Sequence, residues 1–424
     1  MDLNRLTASR RSVLLGAGAL SIAGLAGVAR ARARSAAFPE TQAVLDRYIA
    51  DEKLPGASVG VRLPDGGDVF LGAGKLDYGD APAVDRNSLF RVYSMTKPIT
   101  GTAAALLIED GRLTLDTPVA EFVPEFAHMT VAVDPAAGLD ARPASTVMTV
   151  RHLLTHTSGL TYNFAGDGPI NAEYRRLGVF PFTGEIWPKP DDAPKVRDLD
   201  ALVAALARIP LLADPGTAFN YSVGLDVLGL VIQRASGMAF PDFVQGRLLD
   251  PVGMDDTMWR LTPGEARNLM GLYDYSEGGR RLDSAASPEA YSTPVTLYAG
   301  GAGLVSSTKD YLAFLTSLLN DGRAGRVTVM KPETASLIRS DIMPAGLSQE
   351  NHGFGFGGYV GRPGQPDFGE YGWDGAAGTK AWLDSERRYA AVLMVQYFPW
   401  GAVNISADVK AALGRDLAGV LAAA

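Results

Sequence analysis

Apolar and polar positions along the chain follow two rhythms. Residues 57–62 and 68–71 alternate on either side of Pro64-Asp65-Gly66-Gly67, the pattern of a β-hairpin. Residues 43–48 read as part of a short helix. Residues 99–108 form a nearly unbroken apolar run closed by Asp110-Gly111, which predicts a buried helix. Helical periodicity returns at residues 150–154, 200–207, 225–235 and 309–319, the last two stopped by Ser236-Gly237 and Asn320-Asp321-Gly322. Strand character follows at residues 352–360, 380–383 and 389–397, before an amphipathic helix over 407–421. Strands at both ends with helices between them predict one sheet drawn from both chain ends and an inserted helical lobe. The division is an α/β lobe of residues 38–93 and 295–424, and a mainly helical lobe of residues 94–294. Two irregular stretches remain, 134–145 and 161–198. The second carries Tyr162, Phe164, Tyr174, Phe180, Phe182 and Trp187, and loops of this length serve as lids, binding walls or linkers. No internal repeat is present.

Composition narrows the function without naming it. The 424 residues are 47% hydrophobic and 20% charged, ordinary for a folded chain with a large core. Zero cysteine excludes a disulfide framework, a thiolate nucleophile and a Cys-ligated metal cluster. A formal charge of −8, with no dense Lys/Arg run beyond the N-terminus, argues against nucleic acid as a partner.

The N-terminus has its own logic. Arg10-Arg11 precedes a weakly apolar run to Val28, and Ala29-Arg30-Ala31 and Ala31-Arg32-Ala33 offer small-x-small cleavage sites. This order is that of a secretory signal, and the paired arginines resemble a twin-arginine signal. A membrane anchor is the rival, but the uncharged stretch 12–29 only just reaches spanning length and is weakened by glycine. Residues 1–33 carry five Arg against one Asp, so a processed chain holds a formal charge near −12. The expectation is an exported protein, periplasmic or secreted, with no stable membrane anchor.

Three serines compete as nucleophile. Gly56-Ala57-Ser58-Val59-Gly60 matches G-x-S-x-G, but that motif needs strand, sharp turn and helix, and here the strand pattern runs on to the hairpin. Ser58 therefore reads as a strand serine. Ser306-Ser307-Thr308-Lys309 matches S-x-x-K at the start of a helix, where Ser307 and Asp310 make a capping pair. The second S-x-x-K, Ser94-Met95-Thr96-Lys97, is followed by Pro98. Proline is tolerated only in the first helical turn, so the helix must begin at about Ser94 or Met95. A spacing of three then puts Ser94 and Lys97 on one face, within reach for the amine to take the hydroxyl proton. The helix start also aims free N–H groups at a developing oxyanion. A capping serine beside a solvated lysine is the competing reading.

Further motifs follow in order: Arg151-His152-Leu153-Leu154-Thr155-His156-Thr157-Ser158-Gly159-Leu160, Asp214-Pro215-Gly216-Thr217-Ala218-Phe219-Asn220-Tyr221-Ser222-Val223, and Gly372-Trp373-Asp374-Gly375-Ala376-Ala377-Gly378-Thr379. With Ser94-Met95-Thr96-Lys97, this order resembles the serine β-lactamase-like superfamily from about Phe38 to the C-terminus, and most of all the family VIII carboxylesterases. The resemblance implies an α/β (α+β) fold, with an antiparallel sheet flanked by helices, an inserted helical lobe and the active site between them. It implies Ser94 as acyl-forming nucleophile, Lys97 and Tyr221 as the general-base pair, and the backbone N–H groups of Ser94 and Ala376 as the oxyanion hole. It implies no cofactor and no metal. Which of Lys97 and Tyr221 takes the first proton stays open.

Two departures bear on substrate. β-Lactamases carry Tyr-x-Asn where this chain has Tyr221-Ser222-Val223, and valine cannot replace the amide's hydrogen bonds. They carry Lys-Thr-Gly where this chain has Trp373-Asp374-Gly375, and aspartate has the wrong charge to pair with a substrate carboxylate. Family VIII esterases more usually show Trp-Gly-Gly, so Asp374 departs from them too; it either narrows the pocket or repels anions. Lys380 reads as a strand lysine. The expected pocket is Trp373, Asp374, Gly375, Val223 and Tyr162, with aromatics of residues 161–198 lining an apolar acyl site. His152 and His156 have a zinc-compatible i,i+4 spacing, but no Glu of the HExxH type lies between them, and they read as capping or core residues. Residues 299–303, Ala-Gly-Gly-Ala-Gly, read as a close packing site rather than a phosphate loop.

The reading is an exported serine hydrolase that cleaves small carboxylic esters. A β-lactamase, a D-aminopeptidase or D-Ala-D-Ala carboxypeptidase, and an acyltransferase remain open on the same machinery. A non-catalytic binder of cell-wall peptides is the rival of another class.

Overall fold

In a computed structural model, residues 34–180, 195–276, 279–282 and 287–423 are described. The export signal expected over residues 1–33, and Phe182 and Trp187 of the aromatic stretch, lie outside the described residues. Helix α1 (Pro39–Ala50) leads into strands β1 (Gly56–Arg62) and β2 (Asp68–Gly74). They form the hairpin that the alternation predicts, and Gly66 at its tip takes a φ of +81° that costs glycine nothing. Strand β3 (Leu89–Arg91) and helix α2 (Thr96–Glu109) follow, then α3 (Val150–Leu154) and α4 (Gly224–Ser236). Gly237, at φ +74°, ends α4 in the left-handed conformation that suits a helix C-terminus.

The second half returns to the sheet. Strand β4 (Val305–Ser307) pairs with β3 and opens α5 (Thr308–Leu319), whose cap is Ser307 accepting from the Asp310 N–H. Strands β5 (Gly353–Phe354), β6 (Tyr359–Val360), β7 (Glu370–Asp374), β8 (Lys380–Asp384) and β9 (Tyr389–Met394) precede α6 (Ile405–Ala423). The sheet has seven strands, ordered β5-β6-β7-β8-β9-β1-β2, each pair antiparallel. Residues 352–360, read as one strand, are two short strands, because glycines at 355, 357 and 358 break the pairing and Gly357 turns at φ +77°.

The two sheet faces are buried differently. One is covered by α1 and α6, which close the chain ends over Val59, Val61, Trp382, Ala391 and Leu393. Asp416 accepts from the Thr41 N–H and hydroxyl at 2.8 and 2.7 Å, and Arg47 meets Asp408 at 2.6 Å, so the helices are locked in register. The other face packs on α5 and merges with the apolar core of α2, α4 and the middle of the chain. The functional residues sit where this sheet meets those helices. No helix among the described residues is long and apolar enough to cross a membrane.

Asp310, in the first turn of α5, is buried and accepts from the Thr257 hydroxyl and the Asp256 N–H. Burial pushes its carboxyl up to about 6 against the pull of Lys309. A raised carboxyl binds its proton more tightly in the folded state, so its contribution to stability falls as pH rises from about 4 to about 6. The difference in unfolding temperature, Asp310→Asn minus wild type, is expected to grow by a few degrees across that window and then level off, as thermal scans at stepped pH would record. A flat difference would mean that Asp310 is ionised at little cost.

Candidate active site

The site begins with a strained residue. After β3 the chain turns through Tyr93 at φ +40°, a left-handed conformation costing a non-glycine residue about 1–2 kcal/mol, into a 3₁₀ turn over Tyr93–Met95. The α-helix proper starts at Thr96, a residue or two later than the proline rule places it, and Pro98 occupies its first turn. Ser94 is thus presented on a tight turn, with Lys97 completely buried one step behind it. Lys97 Nζ donates to Ser94 Oγ at 3.2 Å and to the Gly301 carbonyl at 2.8 Å.

Tyr221 arrives from the turn before α4. Its hydroxyl donates to Ser94 Oγ at 2.8 Å, and Lys97 Nζ lies 4.5 Å from its ring centroid. His156 holds this turn in place. Its carbonyl accepts from the Asn220 N–H at 2.8 Å and its Nδ1 accepts from the Ser222 N–H at 3.1 Å, which leaves the ring proton on Nε2. Burial, with the Lys97 charge, holds its pKa well below the usual range, so the ring is neutral and packs 4.6 Å from Tyr221. The helix of residues 150–154 stops before it, and His156 takes φ +56°, so His152 and His156 are not on one helical face. His152 instead completes a capping box with Thr149. Among the described residues no group of three or more His, Asp or Glu side chains could hold a metal.

The third wall is the end of β7. Trp373 Nε1 donates to the Tyr221 hydroxyl oxygen at 3.2 Å. Gly375 donates to the Thr379 carbonyl at 2.8 Å in a turn completed by Gly378 donating back to the Gly375 carbonyl at 3.0 Å. A Cβ at Gly375 would lie 2.6 Å from the Val92 carbonyl oxygen, so only glycine lets this turn abut the backbone leading into Ser94. Ser94 and Ala376 both line the resulting cavity, and among the described residues no backbone carbonyl accepts from either N–H. Two free donors beside one hydroxyl are what a developing oxyanion needs.

The cavity is about 470 Å³. Tyr162, Phe164, Tyr221, Trp373 and Trp400 give it aromatic walls, with Tyr162 and Phe164 stacked at 4.8 Å. Of the other aromatics in the 161–198 stretch, Tyr174 and Phe180 pack into the core instead. Val223, expected in the pocket, is corrected: it precedes the first turn of α4, is completely buried in the helical core and does not reach the cavity. Lys380, read as a strand lysine, does open β8, but its side chain has a further place. It lines the cavity and donates to Asp374 at 2.7 and 2.9 Å, so Asp374 is not a lone negative charge. Ser58 lies mid-strand between Gly72 and Met394, accepting from the Thr308 hydroxyl at 2.8 Å. Lys309 pairs with Asp256 at 3.0 Å, away from any cavity serine.

Asp226 escaped the sequence reading. It is completely buried in the first turn of α4, and its Oδ1 accepts from the Gly301 N–H at 2.8 Å. Gly301 therefore bridges Asp226 and Lys97, its N–H on the carboxyl and its C=O on the amine. Burial raises the Asp226 carboxyl to about 6, with the Lys97 charge pulling it back. An acid inside an otherwise apolar helix, five residues beyond Tyr221, was the available signal. The residues Gly300 and Gly301 show why the 299–303 run is small: a Cβ at 301 would lie 2.7 Å from Asp226 Oδ2, and one at 300 would collide with the Leu225 carbonyl.

Comparison with known proteins is consistent with this geometry. Residues 41–415 match the family model described as Beta-lactamase. Protein Rv1367c of Mycobacterium tuberculosis is 32% identical over 82% of this chain and 86% of its own. Esterase EstB of Burkholderia gladioli is 31% identical over 74% of this chain and 77% of its own. Among solved structures, EstCE1, described as a hydrolase with promiscuous acyltransferase activity, superposes with a TM-score of 0.73 at 24% identity, covering 88% of this chain and 97% of its own.

Proposed function

Since the chain belongs to the beta-lactamase family of serine hydrolases, we propose that it cleaves small carboxylic esters through an acyl-enzyme on Ser94. The observation that carries this reading is the convergence of Lys97 Nζ and Tyr221 Oη on Ser94 Oγ, at 3.2 and 2.8 Å, on the wall of an aromatic cavity. A serine hydroxyl is a weak nucleophile unless a base stands within hydrogen-bond reach. As Ser94 Oγ bonds to the ester carbonyl carbon, its proton passes to the Lys97–Tyr221 pair. The Trp373 indole N–H donates to the Tyr221 oxygen and Lys97 Nζ lies 4.5 Å from the Tyr221 ring centroid, so both members of the pair are held against Ser94. The carbonyl oxygen becomes an oxyanion facing the Ser94 and Ala376 N–H groups. The carbon–oxygen bond to the alcohol then breaks, and the alcohol leaves with the proton. Water attacks the acyl-enzyme by the same route in reverse and returns the serine with release of the acid.

Two features favour esters over β-lactams. Among the described residues no side-chain amide reaches Lys97, whose second hydrogen bond goes to the Gly301 carbonyl. Among the described residues the cation at the end of β7, Lys380, is held by Asp374 and is not left to meet a β-lactam carboxylate. The segment over residues 1–33 supports export to the periplasm or beyond as part of the same reading. Side-by-side assays with p-nitrophenyl butyrate and the cephalosporin nitrocefin test it. The ester is expected to win by at least about 100-fold in kcat/KM. Comparable turnover of the cephalosporin would remove the ester reading, and turnover of neither would return the peptide hydrolases and the silent binder to the front.

A further inference from the structure

The cavity has a charged side facing its aromatic wall. Among the described residues two lysines line it, and each is matched with a carboxylate. Lys410, from α6, donates to Glu370 at 2.7 Å; that carboxylate also accepts from the Tyr359 hydroxyl at 2.9 Å and its side chain is only 5% exposed. This pair is part of the packing between α6 and the sheet. The other pair differs. Asp374 and Lys380 lie directly opposite each other at the open end of the β7–β8 ladder, with side chains 30% and 15% exposed. Lys380 Nζ reaches both carboxylate oxygens, at 2.7 and 2.9 Å, and sits 6.0 Å from the Tyr359 ring centroid. Asp374 follows Trp373, which touches Tyr221, so the pair stands one residue from the machinery around Ser94.

We propose that Asp374 is a specificity-determining residue that masks a latent carboxylate-binding site made by Lys380. Resting on the ester-hydrolase reading, this deepens it: the wild-type cavity selects neutral acyl groups and rejects acyl groups ending in a carboxylate. The ammonium that would bind such a group is already placed in the cavity wall, and its donors are consumed by a neighbouring side chain. A substrate carboxylate has to displace Asp374 and then lie beside it, losing one ion pair and meeting a like charge. Removing the aspartate charge releases Lys380 without moving the strand that carries it. Of the other carboxylates lining the cavity, Asp367 meets His352 at 2.5 Å, and Glu350, exposed at the rim, is the same in every protein compared, so it cancels from the comparison.

The test compares two chromogenic esters of equal chain length, p-nitrophenyl valerate and the mono-p-nitrophenyl ester of glutaric acid. The readout is the ratio of their kcat/KM values in wild type, Asp374→Asn and the double variant Asp374→Asn/Lys380→Met. The ratio of charged to neutral ester is expected to rise at least about tenfold in the single variant, mainly through KM, and to return to the wild-type level in the double variant. No rise in the single variant overturns the proposal. An equal rise in both variants also overturns it, because the gain would then be relief of repulsion with no part for Lys380. Calorimetric binding of glutarate to the same three proteins separates this inference from the hydrolase reading. Tighter glutarate binding in Asp374→Asn alone, with neither ester turned over by any of the proteins, sinks the hydrolase reading and leaves the masked site standing. Unchanged glutarate binding, with valerate turnover intact in wild type, does the opposite.

Discussion

Replacing Ser94 by alanine is expected to cut ester kcat/KM by about 10⁴-fold or more, while Ser58→Ala stays within about threefold of wild type. The argument is positional. Ser94 Oγ is the atom on which Lys97 and Tyr221 converge, whereas Ser58 accepts from Thr308 inside a strand paired on both sides. Lys97→Met and Tyr221→Phe should each cost about 10³-fold, and combining either with Ser94→Ala should add little, because groups acting as one unit lose their effect together. Steady-state kinetics on the six variants, four single and two double, checks this. A large loss in Ser58→Ala, or full additivity among the other three positions, would mean that the nucleophile is elsewhere.

The second large effect falls on a residue with no side chain. Gly300→Ala drives a Cβ into the backbone carbonyl of Leu225, in the first turn of the helix that carries Asp226. Backbone cannot move aside as a flexible side chain can, so the 299–303 segment must shift. The Gly301 carbonyl shifts with it, and that carbonyl anchors Lys97 at 2.8 Å. A displacement of about 1 Å at a general base costs on the order of 100-fold in rate. We expect kcat to fall by about that factor, with KM changed far less, and the unfolding temperature to drop by several degrees. Gly414→Ala provides the contrast, since its Cβ meets nothing within 4 Å inside α6 and removes a helix-weakening glycine. That variant should hold its activity and gain slightly in stability.

These two expectations draw on different kinds of information. The juxtaposition of Ser94 and Lys97 was legible in residue type and spacing, because a proline fixes the helix start and an i,i+3 interval the shared face, whereas Tyr221 was put beside them by the motif resemblance alone. The hairpin and the boundaries of α4 and α5 were legible through alternation and stop signals. Val223 was misplaced, and the cavity-lining side of Lys380 missed, for one reason. Whether a side chain near a motif enters the cavity or the core depends on how the strand end and the helix start are rotated, and neither is a local property. Asp226 was visible as an odd acid in an apolar run, yet its use depends on Gly301, a glycine 75 positions away that is joined to it only by the fold. The φ of +40° at Tyr93 left no mark, because tyrosine carries no preference for that conformation.

The strand order also bears on how the polypeptide is made. β1 and β2 leave the ribosome early, but the neighbour of β1 in the finished sheet is β9, with Ser58 opposite Met394. Until nearly the whole message has been read, the hairpin exposes an unsatisfied edge of apolar strand, the kind of surface that recruits chaperones or another nascent chain. A premature stop or proteolytic clip ahead of Tyr389 therefore does more than shorten the protein. It removes the strand that joins the two ends of the sheet, together with the helix that clamps α1, and leaves Lys97, Tyr221, Trp373 and Ala376 present in sequence with no frame to hold them beside Ser94.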